Sequence, residues 1–227
     1  MRKILWNQGV GDHIICNGLA RVLVEQYGEI ALYANHPVLP MLKRMYRDEP
    51  RISFIPFTER VDKISDDALK YSTYLGGLCY GISGRHFSEC FYDAANVDSS
   101  FRWSRFYVER DLDSERALFE KYGQGDYIFV HQDLARRMPV DISRASSTKD
   151  RRVYSNQPNL SSDIFDYLTL IENAKEVHTM CSAFLCMIDT VPFNPKGKLF
   201  FHRYAKHHGK SVDWDHPELI KNWEIIL

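Results

Sequence analysis

The chain has 227 residues, of which 44% are apolar, and its 29 Lys and Arg nearly balance its 30 Asp and Glu, so that the net charge is −1. A chain of this length buries roughly 70–75% of the surface that its unfolded form exposes, which is enough for one large core or two small ones. The near-neutral charge excludes the bulk phosphate attraction that drives binding to nucleic acids or anionic membranes, so an anionic ligand must be met by a local cluster.

The cysteine pattern and the N-terminus indicate the cellular compartment in which the protein resides. The five cysteines are odd in number and form no CxxC pair, which argues against a disulfide framework and a structural zinc site and favours a reducing compartment. The first apolar run, residues 4–6, is too short for the core of a signal peptide. No window approaches the ~20 apolar residues of a membrane helix. We therefore expect a cytoplasmic protein with no integral membrane segment.

The N-terminal part has the pattern of a parallel α/β sheet. Residues 3–6 form a short apolar run that ends at a glycine turn, and a helical pattern follows until Gly28, a residue typical of helix ends. The next predicted elements are strands over 30–33 and 52–55 and a short helix over 38–47 that Pro40 interrupts. Strand, turn, helix and strand in this order form the first unit of a parallel sheet.

The middle of the chain contains the predicted domain boundary. A charged segment, 109–121, carries acidic and basic residues three to four apart, which is typical of an exposed helix, and it ends at two glycines. We interpret it as a helical connector that divides the chain into an N-terminal domain, 1–115, and a C-terminal domain, 116–227. Before it lie a predicted helix over 66–72, a glycine-rich stretch over 76–84 and a helical spacing over 87–97.

The α/β pattern restarts at Tyr127. The predicted elements are strands over 127–131, 152–156, 177–180 and 198–202, and helices over 162–174 and 182–190, the first with Ser161 or Ser162 as N-cap and Asp163 in its first turn. The loop 138–152 is a candidate mobile lid. The predicted fold class is α/β, with two tandem Rossmann-like parallel units that face a central cleft.

The first candidate site follows the first strand. Gly9 and Gly11 stand between strand and helix, where backbone amides approach an anion or a sugar hydroxyl closely. The stretch is not a dinucleotide fingerprint, because the third glycine would fall at Ile14. Two interpretations stay open: a tight turn with Asp12 capping the helix, or Asp12 as a general base with His13 beside it as a modulator.

The second candidate site follows the strand that restarts the pattern. His131 and Asp133 precede two arginines, Arg136 and Arg137, and this places a local positive cluster at a strand end. The planar guanidinium donates two parallel hydrogen bonds, which suits a diphosphate. The alternative is that both arginines are solvated loop charges and that His131 bonds to the backbone.

The third candidate site is the start of a helix. Ser182 follows a strand at a helix N-terminus, whose free amides and positive dipole end hold phosphate. In the alternative, Ser182 is only the N-cap and Phe184 belongs to the core. Cys181 is a weaker candidate for a nucleophile, since no Asn or Asp partner stands at a recognisable spacing.

A histidine-rich segment follows the last predicted strand. His202, His207 and His208 lack both the helical i, i+4 spacing and the finger spacing of zinc ligands. We interpret His202 as part of a basic cluster at the strand end that faces a phosphate, and we predict no metal site.

These segments carry a family resemblance. The opening ILWNQGVGDHIICNGLARVL resembles that of two-domain GT-B glycosyltransferases, above all the heptosyltransferase-like group. The stretches YIFVHQDLARR, IFDYLTLIENAKEVHTMCSAFLCMID and LFFHRY are similar to the nucleotide-sugar half of such enzymes and of the related fucosyltransferases. The resemblance covers both ends of the chain and leaves 60–115 unmatched.

The resemblance implies a metal-independent glycosyltransferase without a cofactor. A nucleotide-sugar is the donor and co-substrate, and a glycan or another hydroxyl compound is the acceptor. Asp12 corresponds to the acceptor base, Gly9 and Gly11 to the turn beside it, Ser182 to the phosphate-contacting helix start, and Arg136, by position only, to a donor-phosphate contact. The N-terminal domain is then the acceptor side and the C-terminal domain the nucleotide-sugar side.

Two rival functions stay open. The first is a non-catalytic protein that keeps the fold and binds a nucleotide or a glycan. The second is a nucleotide-using enzyme of another class, such as a phosphatase or a hydrolase that depends on Cys181.

Overall fold

The structure is a computed structural model that describes residues 1–6, 9–57, 72–74, 87–134, 136–145, 150–156, 160–205 and 219–227, with the backbone alone at 57, 72–74 and 87. It divides into two compact units. The first unit is Met1–Glu109 with Thr190–Pro192, and the second is the rest of the described chain from Arg110 onward.

The first unit is built on a four-stranded parallel sheet with the strand order β3-β2-β1-β4. Its elements are β1 (Arg2–Leu5), α1 (Val10–Ile15), α2 (Asn17–Tyr27), β2 (Ile30–Asn35), α3 (Leu39–Met45), β3 (Ile52–Phe57), β4 (Ser72–Tyr74), α4 (Phe87–Ala94) and α5 (Phe101–Ser104). The first three strands confirm the sequence prediction. The strand β2 is nearly all apolar and buried, as expected for a parallel strand covered on both faces.

The helical region after β1 differs in detail from the prediction. The chain forms two helices, because Cys16 leaves helical geometry at φ −83° and ψ 5° between α1 and α2. Gly11 therefore lies inside α1, and Gly9 alone stands at the turn as the N-cap. Gly28 ends α2 at φ +78°, a left-handed conformation that glycine adopts without strain.

Two further elements of the first unit correct the prediction. Pro40 does not interrupt the third helix, because it lies in the first turn of α3, where the missing N–H would have no helical partner. The predicted helix over 66–72 lies outside the described residues except for residue 72, which begins the strand β4. The glycine-rich stretch also lies outside them. The helical spacing over 87–97 is confirmed by α4.

The helix α5 packs closely on α2. At Gly18 a Cβ atom would overlap the carbonyl oxygen of Phe101, so only a glycine permits this backbone approach. Tyr92 of α4 joins the same packing, since its hydroxyl donates to the Ile15 carbonyl at 2.8 Å. The helix α5 therefore packs on α2, and α4 is tied to the end of α1.

The cysteines depart from the expectation. Cys90 forms a disulfide whose partner lies outside the described residues, whereas Cys16, Cys181 and Cys186 are free. An odd number of cysteines still permits one bridge, and only proximity in the folded chain decides which pair forms it.

The second unit is built on a five-stranded parallel sheet with the strand order β6-β5-β7-β8-β9. Its elements are α6 (Leu112–Tyr122), β5 (Tyr127–Val130), a 3-10 turn (Ile142–Arg144), β6 (Arg151–Tyr154), a 3-10 turn (Ile164–Tyr167), α7 (Leu168–Glu172), β7 (Glu176–Thr179), α8 (Ala183–Thr190), β8 (Lys198–His202) and β9 (Trp223–Ile226). The four predicted strands are confirmed, and the edge strand β9 was not predicted. None of the helices in the described part of the chain is both long and apolar enough to cross a membrane.

Two segments of the second unit correct the prediction. The helix expected over 162–174 is a 3-10 turn followed by the short helix α7, and its cap is Asp163, whose side chain accepts from the Phe165 N–H at 2.9 Å. The candidate lid loop is anchored at its start, because Met138, Val140 and Ile142 belong to the buried core of this unit. Residues 146–149 of that loop lie outside the described part.

Candidate functional site

In the first unit, Asp12 lies at the point where strand addition reverses. The strand β1 has β2 on one side and β4 on the other, so the loop after β1 opens at a topological switch point. Ligands of open parallel sheets bind outside the carboxyl ends of the strands at such a point. Gly9 and Asp12 occupy that loop and the first turn of α1.

The geometry of Asp12 is compatible with both interpretations of the sequence. Its Oδ2 accepts from the Gly9 N–H at 3.0 Å, so it caps the helix from within the first turn. Burial raises the pKa of its carboxyl from 3.8 to about 6, although the Gly9 hydrogen bond acts in the opposite direction. A carboxylate with a pKa near neutrality is suited to proton abstraction. A Cβ at position 9 would lie 2.7 Å from Asp12 Oδ2, so a larger residue there would require the Asp12 carboxylate to shift.

His13 lies in the core, away from Asp12. Its ring is fully buried, its Nδ1 accepts from the Trp6 indole N–H at 2.8 Å, and burial lowers its pKa to about 3. Consecutive residues of a helix face different directions. The prediction that His13 lies beside Asp12 as a modulator is therefore wrong, because the His13 ring faces the core.

In the second unit, the switch point lies between β5 and β7. The strand β6 follows β5 on one side and β7 lies on the other. Three polar segments meet at this edge, because the strands that precede them are parallel neighbours: His131 after β5, Ser155 and Asn156 after β6, and Ser182 after β7.

His131 is held in place by both of its neighbours at this edge. Its Nδ1 lies 2.8 Å from Ser155 Oγ, and its ring stacks on Phe184 with the centroids 4.1 Å apart. Burial lowers the pKa of His131 to about 4, with the nearby Asp133 raising it and Arg136 lowering it further. At neutral pH the ring is therefore uncharged, and it offers a hydrogen bond rather than a positive charge.

Two buried polar atoms at this edge have no hydrogen-bond partner among the described residues, Ser182 Oγ and Asn156 Oδ1. The Ser182 carbonyl accepts from the Cys186 N–H at 3.2 Å, which places Ser182 at the start of α8, yet its hydroxyl caps nothing. Leaving a buried polar atom unpaired costs about 1–3 kcal/mol. Such atoms at a switch point are typical of a site that a ligand completes.

The arginine loop is a tight turn beside His131. Asp133 and Met138 exchange backbone hydrogen bonds of 3.1 and 2.8 Å, and Arg137 adopts φ +58° between them. The Arg136 guanidinium pairs with the Asp133 carboxylate at 3.1 Å and is 58% exposed. Asp133 thus orients Arg136 near His131, whereas Arg137 is an exposed turn residue.

His202 does not join this cluster. It is fully buried in a hydrogen-bond chain in which His178 Nε2 lies 3.1 Å from Glu176, His178 Nδ1 lies 2.9 Å from His202 Nε2, and His202 Nδ1 lies 3.1 Å from the Tyr204 hydroxyl. Because a carboxylate only accepts, the chain runs in one direction, from the Tyr204 hydroxyl through both rings to Glu176. Neither nitrogen of His202 has a hydrogen left for a phosphate.

The hydrogen-bond chain through His202 and His178 makes the stability of the second unit pH-dependent. Burial, and then the neighbouring His178, lower the pKa of His202 from 6.5 to about 4, so the unfolded chain takes up a proton more readily than the folded one. The contribution of the neutral His202 ring to the free energy of unfolding is complete above pH 6.5 and is lost as the pH falls toward 4. We expect the urea midpoint to fall between pH 7 and pH 5, and to fall less in His202→Gln. A wild-type slope in His202→Gln would contradict this assignment, and the exposed His36→Gln is the control.

Three residues of the second candidate site were not predicted from the sequence. Ser155 and Asn156 were assigned to the predicted strand 152–156, although β6 ends at Tyr154, and Phe184 was assigned only to the core. The polar pair at the end of an apolar strand is the signal that could have identified the first two. The stacking of Phe184 on His131 joins residues far apart in the chain and leaves no local signal.

Cys181 does not have the properties of an activated nucleophile. Burial raises the pKa of its thiol, which lowers the share of thiolate at neutral pH. Within the described ranges, no group of three or more His, Cys, Asp or Glu side chains is placed to hold a metal ion, and His207 and His208 lie outside those ranges.

Comparison with solved structures decides the fold. A glycosyl transferase family 9 protein from Veillonella parvula DSM 2008 superposes with a TM-score of 0.53 at 8% identity, over 88% of this chain and 79% of that chain. The E. coli ADP-heptose LPS heptosyltransferase II superposes with a TM-score of 0.51 at 13% identity, over 100% of this chain and 90% of that chain. The fold is GT-B-like.

The GT-B-like fold confirms the α/β class with parallel sheets that the sequence predicted. No protein-family model and no curated protein matches the chain. At identities of 8% and 13% the likeness concerns the fold, and the chemistry must be argued from the residues of this chain.

Proposed function

We propose that this protein is a glycosyltransferase that moves a sugar from a nucleotide-diphosphate donor to a hydroxyl acceptor. The observation that carries the proposal is that each unit has polar residues at the switch point of its own parallel sheet: Asp12 in the first, and His131, Asn156 and Ser182 in the second. The GT-B-like fold supports it.

In this proposal the first unit supplies the base and the second unit holds the donor. Asp12, with its pKa raised to about 6, is ionised at neutral pH and takes the proton of the acceptor hydroxyl as its oxygen attacks the anomeric carbon. The bond from that carbon to the diphosphate breaks, and the negative charge passes to the leaving phosphate.

The leaving diphosphate is bound by neutral hydrogen-bond donors and by one positively charged side chain. The Ser182 hydroxyl and the amides at the start of α8 donate to phosphate oxygens, and the dipole of α8 favours the negative charge. Arg136 supplies the positive charge, and Asp133 orients it. These groups perform the charge stabilisation by themselves, so the proposed reaction uses no cofactor.

Ser182 is the residue whose loss tests the donor site. Removing a hydrogen bond to a charged group costs about 1.5–3 kcal/mol, so we expect Ser182→Ala to weaken binding of the matching nucleoside diphosphate by roughly 10- to 100-fold. The measurement is a thermal-shift titration with ADP, GDP, UDP and CMP and their sugars, because a ligand at 100 times its dissociation constant stabilises a fold by about 2.7 kcal/mol. The exposed Ser162→Ala is the matched control. A flat wild-type response to every nucleotide would contradict the proposal.

A non-catalytic binding protein with the same fold is the second candidate, because the orphaned Ser182 and Asn156 atoms fit binding without turnover equally well. Donor hydrolysis or transfer that disappears in Arg136→Ala would exclude it. Inhibition by alkylation of Cys181 would instead favour a thiol-dependent hydrolase.

A further inference from the structure

Arg102 of α5 is a buried positive charge without a counter-charge among the described residues. Its side chain is in a residue that is 3% exposed. The guanidinium donates from Nη1 to Ser88 Oγ at the long distance of 3.5 Å, and its Nε is buried with no partner. The guanidinium carbon also lies 5.0 Å from the centroid of the Trp103 ring.

The surrounding groups do not neutralise this charge. Burial raises the pKa of Cys16 and of Tyr92 well above their usual values, and the Arg102 charge only partly opposes that shift, so both groups are neutral at physiological pH. The Trp103 ring compensates by about 1–2 kcal/mol at most. A buried ion left alone costs several kcal/mol, so a negative charge beside Arg102 would stabilise the arrangement that the described residues form.

A small cavity lies against Arg102. The described residues that line it are Ser88, Glu89, Tyr92, Ser99, Arg102 and Trp103. It leaves about 10 Å³ for the centre of a water-sized particle, which is room for one water molecule or one ion of similar size. Ser88 and Glu89 lie in the first turn of α4, the end of a helix that favours negative charge.

We propose that this cavity binds a monoatomic anion of the chloride class as the counter-ion of Arg102. The buried guanidinium provides the charge, the Ser99 hydroxyl provides a donor, and the small volume selects a single atom over a phosphate or sulfate. The anion thereby joins α4 to α5. Because Tyr92 also lines the cavity and donates to the Ile15 carbonyl at 2.8 Å, occupancy stabilises the contact of α4 with the end of α1.

Glu89 is the competing counter-charge. It is the one carboxylate among the described lining residues, and no hydrogen bond or ion pair joins it to Arg102. If a rearranged Glu89 neutralised Arg102, its removal would destabilise the protein. If an anion occupies the cavity, removing the negative charge of Glu89 strengthens anion binding.

The test is the melting temperature of the full chain against chloride concentration, with sodium gluconate holding the ionic strength constant. We expect a saturable rise of about 5 °C or more at 100 times the dissociation constant in the wild type. Arg102→Met abolishes the rise, Glu89→Gln shifts it to lower chloride concentration, and Arg105→Met, at an exposed arginine directly after the same helix, leaves it unchanged. Crystals grown in bromide should show an anomalous peak beside Arg102.

Four results would overturn the proposal. They are a wild-type melting temperature that does not depend on chloride, an equal chloride response in Arg102→Met, a loss of stability in Glu89→Gln without any anion effect, and a response to phosphate or a nucleoside diphosphate that exceeds the response to chloride. If Arg102→Met does not fold, chloride NMR line broadening on the wild type decides the question, since a saturable site broadens the line and its absence does not.

Discussion

Asp12→Asn is expected to lower the rate of sugar transfer by roughly 10²- to 10⁴-fold while nucleotide-sugar binding stays within about twofold of the wild type. The amide has nearly the shape of the carboxylate but takes no proton from an acceptor hydroxyl. The measurement is the release of nucleoside diphosphate with and without acceptor, alongside the thermal-shift titration of the donor. Asp113→Asn, at a side chain that is 95% exposed, is the matched control.

The pH profile gives the same assignment a second readout. Because the pKa of Asp12 is raised to about 6, kcat/KM in the wild type should rise through that pH and then level off. Protein stability changes with pH in the opposite direction to kcat/KM. The stabilising contribution of the protonated carboxyl is present below pH 3.8 and is lost as the pH rises through about 6, so Asp12→Asn should be more stable than the wild type at pH 8. A variant that loses donor binding, or that keeps the wild-type rate, would contradict the role.

Glu115→Gln is expected to destabilise the second unit by about 3 kcal/mol. The Glu115 carboxylate in α6 is fully buried, and it accepts from the Arg110 guanidinium at 2.5 Å and from the Thr169 hydroxyl and N–H at 2.7 and 3.1 Å. Removing its charge takes away the short ion pair of Arg110, which retains its longer contact with Glu172 at 3.5 Å, and weakens the link between α6 and α7. The measurement is the free energy of unfolding from urea denaturation.

Glu120→Gln is the control for this experiment. Glu120 lies on the same helix but is exposed, so its substitution should change the free energy of unfolding by less than about 0.5 kcal/mol. Equal effects of the two substitutions would show that helix propensity, rather than the buried ion pair, determines the loss.

The fold was predictable because its signals are local. The buried apolar runs of β2, β5 and β8, the left-handed Gly28 at the end of α2 and the charged pattern of α6 each depend on residues within one or two turns of one another. The elements that were predicted wrongly or not at all are those whose local signals are weak. The edge strand β9 is half exposed, so its apolar pattern is weak, and the α7 region was expected as one helix although Asp163 caps a 3-10 turn there.

The candidate site was predictable only in part. The positions of Asp12 and Ser182 at helix starts were predicted correctly, because each follows a strand in a way that is visible in the sequence. The grouping of His131, Arg136 and His202 into one anion site was not, because the direction in which a histidine faces depends on distant partners. The Phe184 ring holds His131 at the edge, whereas His178 holds His202 in the core.

The sequence by itself determined a parallel α/β chain with a carboxylate after its first strand and a hydroxyl before a late helix. Periodicity, glycine positions and strand ends carry that information, because they act between near neighbours. The tertiary structure alone decided which side chains are buried and with what partner: His13 against Trp6, His202 against His178, and Arg102 without an ion pair to any carboxylate of the described residues. Burial and pairing join residues far apart in the chain, and it is burial that sets the pKa of Asp12 near neutrality.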